Sequence, residues 1–499
     1  MYQSTMKKQQ DVDLTIIARD AMKKYGFTPG FSPNVLREAE QVAKIPQIIT
    51  ENTKDLRSLL WSSIDNADSM DLDQIEYCES GKNGEIVVRV AIADVDFFVR
   101  KNTLTDRYAG HNGTSVYTGI ETFPMLPDIL SKGISSLLPG NDHLAMVIEY
   151  TVLPNGKTRP GNLYRARVTN KAKLIYEEVG DWIDGKTTIP ESVRKVPELK
   201  EQLLLQHTAA QRMRKFRMDQ GALDLGTLEA DAVISEGVVL DLVISGQNAA
   251  RSIIEEFMVA ANGTTVHFLE QARMPMIQRI VRKPKNWEGI RMTAAKYHIR
   301  LPRSPNTRAL AAFLLKQRQA DPERFPDLSL TIIKLIGPGE YWSLIPGDTP
   351  IGHFALAVTD YTHGTAPNRR FVDLIIQRII KSVLDNTNPP YTDNELAELA
   401  GWLSGREKSS KKVERFMQKA AAAELLKPRI GELFDGLITG ASDKGTYVRI
   451  LAPPVEGRVI TGCKGLYVGQ KVRVKLIHTD PYKAYIDFDC TGKIKNNSE

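Results

Sequence analysis

Apolar residues recur at helical spacing near the start of the chain, at Leu14, Ile16, Ile17, Ala21 and Met22 and again at Val35, Leu36, Ala39, Val42 and Ala43. Gly26 and Pro29 separate the two groups, so the pattern predicts two short helices around a turn. The pair has the length of a small helix-turn-helix unit, and packing against the rest of the chain is the role its size favours. Residues 86–99 form a nearly continuous apolar run ending in Asp94 and Asp96, which predicts a buried strand. A preceding Gly-containing turn and an acidic segment make this a strand, turn and strand, with the acidic residues expected at a sheet edge. Asp94 reads as a turn or cap former. Helical spacing returns over 200–217, where Leu203, Leu204, Leu205, Ala209, Ala210 and Met213 lie beside Arg212, Arg214, Lys215 and Arg217, and again over 249–272. A basic start at 404 leads into an Ala-rich helix that stops near Lys427 and Pro428. Five short runs follow, at 431–440, 445–450, 456–459, 468–475 and 484–487, separated by Gly, Pro and Asp turns. The reading is an α+β chain: a helical region over 1–50, a large domain over 51–403 with a mixed sheet surrounded by helices, a bridging helix over 404–428, a small β-barrel over 429–490 and a tail over 491–499.

Composition narrows the class. With 42% hydrophobic and 25% charged residues in 499, the chain is ordinary for a globular protein and long enough for a large core. Lys and Arg number 66 against 60 Asp and Glu, a net charge of +6, which is compatible with a polyanionic partner. Cys78, Cys463 and Cys490 lie far apart, form no C-x-x-C pair and argue against a disulfide framework or a zinc site. The N-terminus lacks the apolar core of a signal peptide, and no run is long and apolar enough to span a bilayer. A soluble protein of the cytoplasm, away from membranes, is expected.

The segment from Ser63 to Gln74 carries Asp65, Asp68, Asp71 and Asp73 within twelve residues. Carboxylates this close must be screened by solvent, take up protons or share a cation. Oxygen ligands of this kind suit magnesium, with manganese as an alternative. Were residues 70–74 extended, Asp71 and Asp73 would face one side. On spacing alone a solvated acidic loop accounts for the segment equally well.

The surrounding motifs change that balance. The acidic segment resembles the S/T-I-D-x5-D-x-D-D signature of the RNB catalytic domain of the ribonuclease II and ribonuclease R family. Gly113-Thr-Ser-Val-Tyr117, Phe123-Pro-Met-Leu-Pro127 and Leu130-Ser-Lys-Gly-Ile-Ser-Ser-Leu137 are similar to that family's next segments, in the same order. Glu255-Glu256-Phe-Met-Val-Ala-Ala-Asn262 resembles its E-E-x-M-x-x-A-N helix, and the stretch from His353 to Phe371 resembles H-F-G-L-A-x-x-x-Y-x-H-F-T-S-P-I-R-R-Y. The resemblance covers roughly residues 50 to 385, and the C-terminal runs resemble an RNA-binding OB barrel.

The resemblance implies an RNB-type core that hydrolyses single-stranded RNA from the 3′ end and releases nucleoside 5′-monophosphates. It assigns magnesium to Asp65, Asp71 and Asp73, and the stabilisation of the transition-state phosphate to Arg369, whose guanidinium is always charged and meets two oxygens at once. Gln74 stands where the family usually has a fourth aspartate; its amide oxygen can coordinate but brings no charge, so a second metal is expected to be held more weakly. Tyr117 and Tyr176 match aromatic positions that flank the RNA end, Arg370 is expected to bind phosphate or pack, and His363 to be a structural hydrogen-bonding residue. Glu255 or Glu256 is expected to accept the ribose 2′-hydroxyl, the choice between them staying open. Leu225 falls where a stacking Phe is usual, which implies a looser nucleotide clamp. In the barrel, Phe434, Tyr447 and Arg449, with Lys471, Arg473 and Lys475, are expected to contact RNA. Family members usually carry two cold-shock barrels before the core, for which this chain has no room. A polymer-threading site imposes no need for a dimer, so a monomer is expected. The alternative is an RNA-binding or regulatory protein on the same scaffold with a weakened centre, for which Gln74 and Leu225 are the signs.

Overall fold

A computed structural model describes residues 12–47, 51–226, 230–235, 238–244, 246–322, 324–442, 445–450, 452–462 and 464–494. The two N-terminal helices are present as α1 (Leu14–Lys24) and α2 (Pro33–Val42). The Asp13 side chain accepts from the amides of Thr15 and Ile16, while Ser32 caps α2 and Pro33 occupies its first turn. Gly26 ends the first helix region with φ +82, where a side chain would be strained. The pair packs on the body of the protein rather than standing free: Leu14, Ile17, Ala18 and Met22 share a buried cluster with Val413, Met417 and Ala420.

The body is built on a mixed seven-stranded sheet. Its strands are β1 (Lys54–Asp55), β2 (Ser62–Asp65), β3 (Gln74–Ser80), β4 (Ile86–Ala93), β7 (Asp142–Val152), β8 (Thr158–Thr169) and β9 (Ala172–Ile175), with the short hairpin β5 (Val116–Tyr117) and β6 (Thr122–Phe123) outside it. The order is β1-β8-β7-β4-β3-β2-β9. β1 lies parallel to β8 and β2 parallel to β9; the other pairs are antiparallel. Helices α3 (Leu104–Asn112), α4 (Tyr176–Ile183), α5 (Glu191–Arg194), α6 (Leu199–Gln220) and α7 (Ala249–Gln271) precede a separate helical lobe made of α8 (Trp287–Ala295), α9 (Thr307–Ala320) and α10 (Phe325–Ile336). Helix α11 (Phe371–Leu384) packs on the sheet, its Gln377 amide donating to the Ala93 carbonyl at 2.8 Å. On β3, Gln202 of α6 takes both backbone groups of Cys78. Among the described residues no helix is long and apolar enough to cross a membrane, and Cys78 and Cys490 are free; Cys463 lies outside the described residues.

Three expectations need correction. The run over 86–99 is a strand only to Ala93, because the Asp94 carboxylate accepts from the Phe97 amide and turns the chain. The acidic segment does not lie at a sheet edge: β3 runs between β4 and β2, and β9 returns from later in the chain to cover β2. The bridging helix starts before 404, as α12 (Asp393–Leu426), with a reciprocal cap between Thr392 and Glu395.

Beyond α12 the chain closes a five-stranded barrel from β14 (Leu433–Ser442), β15 (Gly445–Ile450), β16 (Glu456–Thr461), β17 (Lys471–Asp480) and β18 (Tyr485–Lys493); β10 to β13 form two small pairs, Ala230–Ser235 with Val238–Ile244 and Met276–Ile280 with Glu340–Leu344. Alternation fills the barrel with Ile438, Val448, Ile450, Val472, Val474 and Leu476. Arg449 ties it to the helical lobe through Asp327 of α10, at 2.7 Å.

Arg406 of α12 holds the N-terminal pair in place, donating to the carbonyls of Gly26 and Tyr25 at 2.8 and 2.7 Å and lying 4.0 Å over the Phe27 ring. Two charge-assisted hydrogen bonds and a cation–π contact are lost in Arg406→Ala, which should cost about 2 to 4 kcal/mol. Hydrogen exchange over residues 12–30 should speed up in this variant while the central sheet keeps its protection.

Candidate active site

Four stretches far apart in the chain meet at one end of β2 and β3. The register that sets Ser62 across from Glu76 carries Asp65 and Asp73 to the same end of the sheet. Before β3 begins, the chain is pinned by the 130–137 segment: the Leu72 amide donates to Ser136 Oγ, Ser136 Oγ donates to the Met70 carbonyl, and the Leu137 amide donates to the Leu72 carbonyl. Ser135 of the same segment donates to Asn368 Oδ1 at 2.6 Å. The Arg369 carbonyl in turn accepts from the Ser115 amide and from Thr114 Oγ1, which joins the 113–117 segment to the loop before α11. Asn262 of α7 accepts from the Gly364 amide at 2.8 Å and so supports the same loop.

Asp73 is the point where these supports converge. Its carboxylate is buried and accepts from the Asn368 amide at 2.8 Å and from Arg369 Nε at 3.1 Å. Burial pushes its carboxyl up to about 7; Arg369 and the Asn368 amide pull it down, less strongly, and Asp71 adds to the rise. Asp71 is raised too, chiefly by burial, with Arg369 lowering it and Asp65 raising it. Asp65 accepts from its neighbour Asn66 and from Ser69 Oγ at 3.1 Å. The three aspartates therefore share one field without forming a closed ligand cluster; among the described residues no group of three His, Cys, Asp or Glu side chains is close enough to hold a metal. Like-charged carboxylates have taken separate donors, Arg369 above all.

A divalent cation nevertheless fits the donor chemistry. The set is all oxygen, two of its carboxyls are held above their ordinary range by burial, and Gln74, also buried, opens β3 beside them. Glu76, two residues on, is fully buried with neither carboxylate oxygen hydrogen-bonded. Its carboxyl is pushed well up by burial and further by the charge of Asp65.

Arg369 is kept in place by its neighbours. Asp373, buried at the first turn of α11, accepts from the Thr365 and Ala366 amides at 2.8 Å and from two nitrogens of Arg370, also at 2.8 Å. Arg370 is thereby paired with Asp373 while 23% of its side chain stays exposed in the same cleft as Arg369. Its neighbour Arg369 leaves 43% of its side chain exposed beside Asp73 and faces a cleft of about 190 Å³ shared with Tyr117 and Tyr341. His363 is half-buried against Tyr341, its Nδ1 2.9 Å from the hydroxyl, and desolvation holds it well below its ordinary range.

The aromatic positions divide. Tyr117 is 43% exposed, and its hydroxyl feels Arg369, Asp71, Asp73 and Asp65. Tyr176 starts α4 with the Arg251 guanidinium 4.6 Å over its ring and feels Asp65, Glu76 and Arg369. Both belong to the site. Glu256 is buried in a two-pronged pair with Arg217, at 2.6 and 2.8 Å, whereas Glu255 shares that arginine at 3.1 Å and stays 41% exposed. Glu255 is the one accessible to a ligand. Leu225 packs beside the helical lobe's core and away from the aspartates.

In the barrel, two of the six residues expected to contact RNA are committed elsewhere. Phe434 is buried in the barrel core against Phe488, because strand alternation turns it inward, and Arg449 is spent on Asp327. Tyr447 is half-buried beside Gly440 and Gly445, and Arg473 is paired with Asp435. Exposed rings occur instead at Tyr467, Tyr482 and Tyr485, which lie on turns and strand ends that the alternation pattern does not single out. Asp373 and Arg217 were also missed; the signal for Asp373 was a carboxylate on an otherwise apolar helix face.

Two outcomes check the electrostatics. In chelator, the raised Asp73 carboxyl favours the protonated folded state, so its contribution is full below its ordinary value of 3.8 and is lost as pH rises through about 7. Thermal unfolding should therefore move to lower temperature between about pH 4 and 7, with a flatter slope for Asp73→Asn. Asp373→Ala strands Arg370 and two amides, and should cost about 3 to 5 kcal/mol in denaturant unfolding.

Comparison with known proteins places these features in a family context. A model of the RNB domain matches residues 53–386, and a model of the RNase II-type exonuclease C-terminal S1 domain matches residues 432–490. Ribonuclease R 1 of Lactococcus lactis subsp. lactis is 28% identical over 491 residues, covering 92% of this chain and 59% of the relative. Ribonuclease R of Escherichia coli is 31% identical over 441 residues, covering 84% of this chain and 53% of the relative. The chain thus spans little more than half the length of these two relatives. The structure of Mycoplasma genitalium RNase R in complex with ribose methylated single-stranded RNA matches with a TM-score of 0.84 at 23% identity, over 96% of this chain.

Proposed function

The chain belongs to the RNB family, and on that premise we propose that it is a processive exoribonuclease that hydrolyses single-stranded RNA from the 3′ end and releases nucleoside 5′-monophosphates. The observation that carries the reading is the meeting of Asp73 with the Asn368 amide and Arg369 across the whole length of the domain. It brings a buried carboxylate, two neighbouring aspartates and a fixed guanidinium to one spot, the parts that phosphodiester hydrolysis needs. Family membership supports the direction and product proposed.

Magnesium, or manganese, would be held by Asp65, Asp71 and Asp73, with the Gln74 amide beside them, and when bound would supply an activated water and charge neutralisation at the phosphate. The residues of the chain do the rest. Arg369, bonded to Asp73 through Nε and 43% exposed, presents its remaining guanidinium nitrogens to the phosphate oxygens as charge builds on them. Asp373 and Arg370 fix the loop on which Arg369 sits. Tyr117 offers a ring to the terminal nucleotides, and stacking tolerates any base, which suits an enzyme that advances along a sequence. Glu255 offers a carboxylate to the ribose 2′-hydroxyl, the group that separates RNA from DNA. The S1-type barrel supplies exposed tyrosines and lysines for the incoming strand. We place the activity in the cytoplasm, where thiols such as Cys78 and Cys490 stay reduced.

The second reading is an RNA-binding protein with a weakened centre, favoured by Gln74, which adds no charge to the site. Purified protein with 5′-labelled single-stranded RNA separates the two. A ladder of shortening products with magnesium, absent in chelator, is expected; retarded but intact RNA would establish the binder. Asp73→Asn should keep RNA binding and cleave at least about 100-fold more slowly.

A further inference from the structure

The ring of Tyr117 stands on a very small support. Its hairpin pairs Val116 with Phe123 and Tyr117 with Thr122 and extends no further. Residues directly across a strand pair point to the same side, so Val116 and Phe123 make one face of the hairpin and Tyr117 and Thr122 the other. The first face is buried, at 0% and 4% exposure, while the second presents the exposed Tyr117 ring. A lone two-stranded hairpin is marginal at best. Its position therefore depends on what covers the buried face.

The cover is the N-terminal helix pair. Val116 and Phe123 share a buried cluster with Leu14, Ile17 and Met22 of α1, and Ile120 of the hairpin turn packs against it. Arg19 of α1 reaches Glu121, also at the turn, at 2.7 Å. In the loop between α1 and α2, the Thr28 amide donates to Asn112 Oδ1 and the Thr28 carbonyl accepts from Asn112 Nδ2, both at 3.0 Å. Asn112 is 3% exposed and ends α3 directly before the 113–117 segment. The Arg19 pair is 51% and 27% exposed and contributes little by itself, so the apolar seat and the Asn112 tie carry most of the constraint.

We propose that α1 and α2 are positioning elements of the RNA clamp: seated against the back of the β5–β6 hairpin, they set where Tyr117 stands to stack on the terminal nucleotides. This rests on the hydrolase reading above and deepens it. The helix pair acts on substrate binding through Tyr117, without touching RNA itself.

The test reads the stacking directly. A short single-stranded RNA with 2-aminopurine at its 3′ end is bound in chelator, where the fluorescence of the probe falls as its base stacks on a ring and anisotropy gives the affinity. The proteins are the parent, Asn112→Ala, Arg19→Glu, the charge swap Arg19→Glu/Glu121→Arg, Tyr117→Ala, and Asn112→Ala/Tyr117→Ala. Hydrogen exchange over the central sheet reports whether each variant is folded, and Arg19→Glu, a surface change, keeps the test open should Asn112→Ala unfold. Asn112→Ala is expected to lose part of the quench and to bind about three- to tenfold more weakly, within the worth of one stacked base. Arg19→Glu should shift both readouts in the same direction by less, and the charge swap should restore them. Tyr117→Ala should abolish the quench, and adding Asn112→Ala to it should cost no further affinity, because the helix pair acts through that ring. Folded Asn112→Ala and Arg19→Glu proteins with the parent's quench and affinity would overturn the positioning role, as would a loss in Asn112→Ala that persists in full on top of Tyr117→Ala. Either result leaves the hydrolase reading intact if the parent still gives a ladder of shortened RNA with magnesium. A parent that neither quenches the probe nor cleaves RNA would overturn both.

Discussion

The Asp73 carboxylate, reached by the Asn368 amide and the Arg369 side chain from 295 and 296 positions later in the chain, is the contact on which the site depends. A buried carboxylate needs cationic or amide donors, and here the chain itself brings them. The rest of the arrangement can be read as the means of holding the two ends of that contact still. Ser136 pins the strand entry from one side and Ser135 pins Asn368 from the other, both from a single short segment. The 113–117 segment then clamps the Arg369 carbonyl.

A second tier of buried charge stabilises the loop before α11. Asp373 answers two amides and Arg370 at once, and Asn262 answers the Gly364 amide. These bonds hold the loop rigid, and that rigidity is their contribution: a guanidinium must be placed within a fraction of an ångström to be useful at a developing charge. The contrast between Arg369 and Arg370 makes the point. Neighbours in sequence, Arg370 is paired through two nitrogens with Asp373 and Arg369 stays the more exposed, beside the aspartates.

Similar commitment explains the barrel. Arg449 looked like a phosphate contact because it is basic and lies in a strand, yet the helical lobe offers Asp327 at 2.7 Å and takes it. Phe434 looked like a stacking ring, but barrel closure turned its position inward. Rings left over for a ligand are those on turns and strand ends, Tyr467, Tyr482 and Tyr485.

Local pattern was enough to specify the two N-terminal helices, the long apolar helices, the barrel strands, and the acidic and Arg369 segments, because periodicity, turn residues and motif order are properties of neighbours in the chain. It placed Asp65, Asp71, Asp73, Tyr117, Tyr176 and Arg369 among the site candidates, and the fold draws all of them into one electrostatic neighbourhood. What depended on partners distant in sequence had to wait for the tertiary structure: the interior position of β3, the fate of Arg370, Arg449 and Glu256, and the isolation of Glu76. A side chain's type states what it can bind, but only packing decides whether a partner reaches it first.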